Sequence, residues 1–556
     1  MYTIERFEHE CKKAVESIIS KRVELEIPPS EIGALFAMPC HRLSENPEGF
    51  AKELVDRLES LELDLIGKVE ARGAYVNFFP NEKFYEAVVK EILQKGPNYG
   101  SRKKKDEVIV IDFSSPNVAK PMSVGHLRST IIGQALYNIL TFLGYKCIGD
   151  NHLGDWGTQF GALLAAFEMW GDENELERNP IQHLFELYVK FHEECEKNEK
   201  LRELAREKFR LLETGSQKER GLWKRFVDLS LREFQRIYDL LDVKFDYVLG
   251  ESFYYLRAKQ LVQRALEQGI AKVSEGAVII PLEEYGLPPL VIQKSDETTL
   301  YSTRDLATIE YRLEEFSPSK IIYVVGAEQK LYFKQLFVAA RKLGMDCDFV
   351  HVDFGLVTIG GEKMSTRRGK VVLLEDLLLK AIARAKDIIT ERNPSLENVD
   401  EVAKLVGIGA VIFNDLKGDR IQQVDFDLER MLNFEGDSCP YVQYAYVRGR
   451  SILRNAGMEK EKVSLESIKL TSDYERKLIE LLSFFPRIVK LAAETLKPHY
   501  IAQYLLDVAE SFNSFYTHCR VIGSSNEATR LAIVEATTHV LKNGLALLNI
   551  KAPEMM

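Results

Sequence analysis

The sequence predicts an α/β protein: a doubly wound parallel sheet interrupted by a helical insertion, preceded by a smaller α/β region and followed by an all-helical one. Three observations carry this. The run VIVIDF (Val108 to Phe113) is apolar without alternation, as strands buried on both faces are. Apolar residues then fall at Leu127, Ile131, Ala135, Leu136, Ile139, Leu140 and Leu143, a helical stripe that Gly144 ends, and KCIGDNH supplies the next strand. From about residue 395 nearly everything keeps a helical rhythm.

Taken in order, the first hundred residues mix helical stretches such as FEHECKKAVESIISKR with a short aromatic strand, GAYVNFF, from Gly73. Tyr75, Asn77 and Phe79 alternate there with Val76 and Phe78, the pattern of an edge strand. KGPNYGSRKKK combines Gly, Pro, Asn and a charge run, and its RKKK reads as a solvated linker. Beyond Trp170 the chain turns polar and helical, EKNEKLRELAREKFRLLE being its most charged part. Strands and helices alternate again with PLVIQK, a helix from Thr303, KIIYVVG, a helix around YFKQLFVAARKLG, and CDFVHVDFG. The expected domains are 1–105, 106–395 with an insertion over about 170–290, and 396–556.

Composition sets limits on function. The chain has 556 residues, 46 % apolar and 28 % charged, enough for several cores. No apolar run, LVGIGAVIF included, approaches the roughly 18 residues of a membrane span. MYTIERFEHECKK is charged from its fifth residue, so no signal peptide is expected and the cytoplasm is the default location. Seven cysteines without a C-x-x-C pair suggest reduced thiols, with neither a disulfide frame nor a structural metal. A net charge of -10 argues against a general nucleic-acid coat but permits a local RNA footprint.

The chemistry points to SSPNVAKPMSVGHLRST, between the first strand and its helix. A helix N-terminus offers unpaired N–H groups and partial positive charge to a phosphate. Gly125 allows close approach, His126 can donate to a phosphate as charge builds, and Lys120 and Arg128 add positive charge. A second segment, GGEKMSTRRGKVV (Gly360 to Val371), carries Lys363, Arg367 and Arg368 in a glycine-flanked loop suited to close over a polyphosphate. Each alone has a plainer explanation: His126 as a helix cap, the loop as a charged turn.

Together SVGH and KMST resemble the H-x-G-H and K-M-S-K signatures of class I aminoacyl-tRNA synthetases. The longer string SSPNVAKPMSVGHLRSTIIG, followed by NHLGDWGTQFG, GESF, LYSTRD and PYVQYAYVR, resembles the arginyl-tRNA synthetases over nearly the whole chain. The resemblance implies a Rossmann-like catalytic domain, an N-terminal RNA-binding domain and a C-terminal anticodon-binding domain. Its expected partners are L-arginine, ATP with Mg2+, and tRNA(Arg), with a monomer as the expected state. Two positions depart from the signatures: Ser123 stands for the first histidine and Thr366 for the last lysine. By resemblance Lys120 supplies that missing positive charge.

The implied site residues follow. His126, Lys120 and Lys363 stabilise the reacting phosphate, and Ser123, Gly125, His126, Lys363, Met364 and Ser365 contact ATP. A guanidinium is always charged, so its pocket needs carboxylates, preferably beside an aromatic ring. LYSTRD offers Tyr301 and Asp305, and GESF offers Glu251. Ser302 with Asp305 equally fits a capping box. Asp112, Asn117 and Gln329, at strand exits, are candidates for the substrate's amino and carboxylate groups, though strand-end and turn roles fit Asp112 and Asn117 as well. For RNA, Tyr441, Tyr444 and Arg448 share one helix face. The resemblance adds Tyr516 and Met556 at the anticodon, and Tyr75 and Asn77 at the D-loop corner. Two alternatives account for fewer features: a small-molecule adenylyltransferase, and an RNA-binding pseudoenzyme descended from a synthetase.

Overall fold

The computed structural model describes residues 1–295, 298–359, 362–363, 372–458 and 467–556. The chain opens with helix α1 (Thr3–Ile19), strand β1 (Phe36–Pro39), helix α2 (Pro47–Leu58), strands β2 (Ile66–Arg72) and β3 (Tyr75–Pro80), and helix α3 (Glu82–Lys95). The three strands form an antiparallel sheet in the order β1-β3-β2. GAYVNFF is therefore the central strand, not an edge. Alternation reports which face of a strand is buried and is silent on whether its backbone edges are paired. Its inner residues Val76 and Phe78 join a core with Phe7, Phe36 and Phe84, the Phe7 ring lying 5.2 Å from Phe84 and 6.1 Å from Phe36. Two members of RKKK are engaged: Arg102 pairs with Glu5, and Lys105 Nζ lies 3.5 Å from the ring centre of Tyr145.

Strand β4 (Val108–Asp112), helix α4 (Val124–Phe142) and strand β5 (Lys146–Asn151) follow. α4 is buried on nearly every side, which explains its length of apolar sequence. The insertion comprises α5 (Thr158–Trp170), α6 (Glu173–Arg178), α7 (Pro180–Lys197), α8 (Lys200–Thr214) and α9 (Gln217–Leu241), with its own core around Trp156, Phe160, Phe209 and Phe226. After β6 (Tyr247–Val248) and α10 (Glu251–Glu267), strands β7 (Lys272–Ser274), β8 (Ala277–Ile280) and β9 (Leu290–Gln293) make a separate antiparallel sheet. PLVIQK thus does not rejoin the parallel sheet. A short apolar run fits either kind of strand equally well.

Helix α11 (Tyr301–Phe316), strand β10 (Lys320–Gly326), helix α12 (Lys330–Lys342) and strand β11 (Asp348–Phe354) complete a five-stranded parallel sheet in the order β11-β10-β4-β5-β6. Strand order reverses between β4 and β10, and a crevice opens at the carboxyl ends of such a pair. Asp112 and Tyr323 are register partners there.

Strands β12 (Val357–Ile359) and β13 (Glu362–Lys363) pair antiparallel, and β12 also pairs with β14 (Val424–Phe426). Around β14 lie α13 (Leu374–Arg392), α14 (Val399–Leu416), α15 (Leu428–Met431), α16 (Cys439–Asn455), α17 (Asp473–Ser483), α18 (Phe485–Thr495), α19 (His499–His518) and α20 (Glu527–Leu547). The helical rhythm hid that strand, which is too short to show a period. The first region docks on these helices, with the Tyr85 hydroxyl donating to Glu480 at 2.6 Å and the Asn543 amide to Gly96 O at 2.9 Å. All seven cysteines are unpaired, and no described helix is long and apolar enough to cross a membrane.

Candidate active site

A cavity of about 520 Å³ occupies the crevice between β4 and β10. The loop that floors it is strained: Ser114, Ser115 and Ala119 all have φ in the left-handed region, at 71°, 48° and 62°. Each of their N–H groups is held, by Ser129 Oγ at 2.9 Å, Asn151 Oδ1 at 3.1 Å and Ser230 Oγ at 3.0 Å respectively. Ser230 and Tyr238, whose hydroxyl meets Ser114 Oγ at 2.8 Å, come from α9. The insertion therefore props the loop from behind.

Ser123 is the N-cap of α4. Its N–H donates to His126 Nδ1 at 3.1 Å, its Oγ lies 3.1 Å from the same atom, and the His126 N–H donates to Ser123 O at 2.9 Å. With Nδ1 accepting, the ring proton belongs on Nε2. Burial first, then the nearby Lys120 charge, outweigh the Ser123 bond and hold the imidazole below its ordinary pKa, in the neutral form. His126 thus both caps the helix and lines the cavity. Gly125 lines it as well, and an added Cβ there would meet only Ser123 Oγ, at 3.5 Å. Among the described residues no packing contact requires that glycine.

The two cations expected beside His126 go elsewhere. Arg128 is wholly buried, pairs with Asp415 at 3.0 Å, and donates to Gly355 O at 2.8 Å and Gln422 O at 2.9 Å. One residue past Leu127 on a helix buried all round, its side chain points away from the loop and cannot add charge to a phosphate. Lys120 does not line the cavity; its Nζ lies 5.0 Å from the ring centre of Tyr188 on α7, and burial lowers its pKa. The side chain of Lys363, and all of Met364 and Ser365, lie outside the described residues. The backbone on both sides of that segment is described. Lys363 pairs with Thr358, and Leu374 N–H and Val372 O bond Met122 O and Val124 N at 2.9 and 3.2 Å, immediately before Gly125.

At the other end of the cavity stand the acids. Asp305 accepts from the Tyr332 hydroxyl and faces His152 Nε2 at 3.6 Å. The capping-box alternative for it fails, because α11 begins at Tyr301 with Leu300 as N-cap, and Ser302 donates instead to Val291 O at 2.6 Å. Tyr301 is 53 % exposed, its ring 5.0 Å from that of Tyr332. Asp112 pairs with the buried Arg312 at 2.6 Å and accepts from Ser115 Oγ at 2.9 Å. Glu251, pushed up by burial against the pull of Arg304, pairs with that arginine at 2.7 Å. Asn117 leans over Gly154, where a Cβ would stand 2.2 Å from its Oδ1. Asp112, Asn117, Glu251, Tyr301, Asp305 and Gln329 all line the cavity with Ser123, Gly125 and His126. Among the described residues Asp305 and Glu328 are lining acids without a Lys or Arg partner.

His152, Tyr332 and Glu328 were missed as site residues. His152 stands inside the quoted NHLGDWGTQFG string, but nothing local tells a cavity histidine from a packed one.

On the helical side, Tyr441, Tyr444 and Arg448 converge with Tyr516. The Arg448 guanidinium lies 4.8 Å from the Tyr444 ring centre and 4.9 Å from that of Tyr516, with these rings 38 % and 45 % exposed. Asn513, on the same helix as Tyr516 and absent from the sequence reading, donates to Tyr441 Oη at 3.0 Å and accepts from Arg448 at 2.7 Å. Met556 is half-buried against the core. Tyr75 is half-exposed, its ring 5.4 Å from that of His41, whereas Asn77 is fully buried with its amide donating to Glu70 O at 3.4 Å.

Residues 88–428 match the family model of class I (R) tRNA synthetase catalytic domains, and residues 442–556 match that of DALR anticodon-binding domains. The chain is 44 % identical to an arginine–tRNA ligase of Clostridium kluyveri, covering 98 % of this chain and 100 % of that one. It is 44 % identical to one of Halothermothrix orenii, over 96 % and 95 %. Its fold is similar to arginyl-tRNA synthetase structures from Plasmodium falciparum (TM-score 0.82, 25 % identity, 99 % and 98 % of the two chains) and Thermus thermophilus (TM-score 0.81, 26 %, 99 % and 100 %).

Proposed function

This chain belongs to the arginyl-tRNA synthetases of class I, and from that premise we propose how its residues divide the arginine–tRNA ligase reaction. One observation supports the division above all: His126 and Asp305, from separate sequence motifs, line a single cavity at the sheet's switch point. Arginine's guanidinium goes to Asp305 with Tyr301 along it, and Glu251 adds negative charge nearby. Asp112, Asn117 and Gln329 take the amino and carboxylate groups. The carboxylate then attacks the α-phosphorus of ATP, a C–O–P bond forming as pyrophosphate leaves. The terminal ribose hydroxyl of tRNA(Arg) takes the arginyl group in the second step, releasing AMP.

Nε2–H of His126 donates to the phosphate oxygens as they gain charge, and Gly125 leaves room for the nucleoside. Lys363 joins it at the phosphates; of the chain beyond it, Val372 and Leu374 bond the start of α4. Lys120 contributes only once its chain swings off Tyr188. Magnesium arrives with the triphosphate: among the described residues no three His, Cys, Asp or Glu side chains gather as a ligand set, and hard divalent ions commonly take phosphate oxygens as ligands. Residues 106–395 carry this chemistry, 396–556 read the anticodon on the Tyr441, Tyr444, Arg448 and Tyr516 surface with Met556 nearby, and 1–105 meet the D-loop corner through Tyr75; Asn77, expected to share that contact, is fully buried and drops out of it. The enzyme acts as a cytoplasmic monomer.

ATP–pyrophosphate exchange tests the reading. Exchange that needs arginine, measured with tRNA(Arg) present, supports it. No exchange with any amino acid, alongside intact tRNA binding, returns the pseudoenzyme.

Ser123 offsets the lost imidazole by fixing the tautomer of His126. Removing one hydrogen bond to a ring nitrogen costs about 1 kcal/mol, so Ser123→Ala lowers the exchange kcat roughly five- to tenfold with the arginine KM unchanged; an unaltered kcat removes the hydroxyl from the mechanism. On the RNA side, Asn513→Leu releases Arg448 and Tyr441 together. Stacking of bases on aromatic rings contributes about 1–3 kcal/mol each, so the tRNA KM rises about tenfold while the arginine KM stays put. A tRNA KM within twofold of wild type would detach Asn513 from RNA binding.

A further inference from the structure

His152 stands where a fixed cation would be expected. Its side chain is 11 % exposed, it lines the cavity, and Nε2 faces Asp305 Oδ1 at 3.6 Å. Among the described residues neither ring nitrogen has a hydrogen-bond partner. The groups around it come from four elements. β4 supplies Asp112, β5 and the turn after it supply Asp150 and Asp155, α10 supplies Glu251 and Tyr254, and α11 supplies Asp305 and Arg312. Most of these acids have other partners. Asp112 and Asp150 share Arg312, Glu251 has Arg304, and Asp155 accepts from the N–H and hydroxyl of Ser252 at 2.8 and 2.6 Å. Among the described residues Asp305 has only the Tyr332 hydroxyl and the imidazole.

We infer that His152 is the exchangeable counter-cation of the arginine site: as imidazolium it balances Asp305 in the free enzyme, and it gives its proton to solvent when the guanidinium takes that carboxylate. The inference rests on Asp305 being the guanidinium's acid. A buried carboxylate with no counter-charge is costly, and a lysine or arginine in this place would compete permanently with the substrate. Imidazole is the side chain that can hold a charge near neutrality and then surrender it. Burial pulls His152 toward the neutral form, but Asp305 and Asp112 outweigh this and raise its pKa to about 9. A guanidinium at Asp305 cancels the main cause of that rise and adds a like charge beside the ring, so the pKa falls.

The sign follows from linkage. Below the raised value the free enzyme holds the proton and the complex does not, so binding releases a proton and strengthens as pH rises, levelling off near pH 9. Isothermal calorimetry of L-arginine into the full chain, in buffers of different ionisation enthalpy near pH 7.5, should show release approaching one proton per arginine. The arginine α-amino group stays protonated at that pH and does not contribute. The Kd should fall by up to about tenfold per pH unit below the plateau, and His152→Gln should abolish both the release and the slope. Arginine binding without proton release, or a slope kept in His152→Gln, overturns the inference. Equal affinity in Asp305→Asn instead overturns the underlying assignment of Asp305. The wild-type calorimetry decides the matter even if the glutamine variant fails to fold.

Discussion

Asp305→Ala raises the arginine KM by about a hundredfold or more while the ATP KM moves only a few-fold. Asp305 is the lining acid of α11 that no Lys or Arg among the described residues neutralises, and it is held in place by the Tyr332 hydroxyl. A guanidinium cannot shed its charge, so binding it without a facing carboxylate strands a cation in a half-enclosed site. Breaking one side of such a pair typically costs about 3–5 kcal/mol, and each 1.4 kcal/mol is tenfold in affinity. The end proposed for ATP is built by Ser123, Gly125 and His126 at the start of α4, and among the described residues none of them shares a hydrogen bond with Asp305. ATP–pyrophosphate exchange with tRNA(Arg) present, titrated in each substrate, measures both constants. Asp305→Asn keeps the size and loses the charge, so it should behave as alanine does. Equal losses in the two KM values would undo the assignment.

Asp415→Ala destabilises the protein by about 3–5 kcal/mol. It leaves the wholly buried Arg128 guanidinium without its counter-charge, anchored only to Gly355 O and Gln422 O. This pair ties α4, two residues after His126, to α14 in the helical region, so kcat should fall as well. The double variant Arg128→Met with Asp415→Leu should recover most of the lost stability, because replacing a buried pair by apolar groups of similar volume is often neutral or favourable. Chemical unfolding of the three variants makes the measurement. A double variant as unstable as the single would assign the loss to packing and not to charge.

The parallel sheet, its first crossover helix and the C-terminal helices were legible because burial imposes local periods: continuous apolar runs in β4 and β10, and a helical stripe along α14 and α16. Short strands carry too few residues to show a period, so β14 and the β7–β9 sheet were not foreseen. The site residues were named from motifs and resemblance, not from a period. Asp112, Asn117, Glu251, Tyr301, Asp305 and Gln329 lie in four separate stretches of sequence, and they meet in one cavity with Gly125 and His126.

What the residues determined on their own was the class of the chain, a parallel α/β core with a smaller α/β region before it and a helical region after it, because backbone sterics and hydrophobic period act within a few residues. Which cation faces which anion was decided by the fold alone. Arg128 and Lys120 are equally plausible phosphate ligands on paper, yet one is buried against Asp415 and the other lies over Tyr188. Likewise His152 and Asn513 gain meaning only beside Asp305 and Arg448. Coulomb and hydrogen-bond energies depend on distance in space, and residues from 65 to 287 positions apart acquire that distance only when the chain has packed.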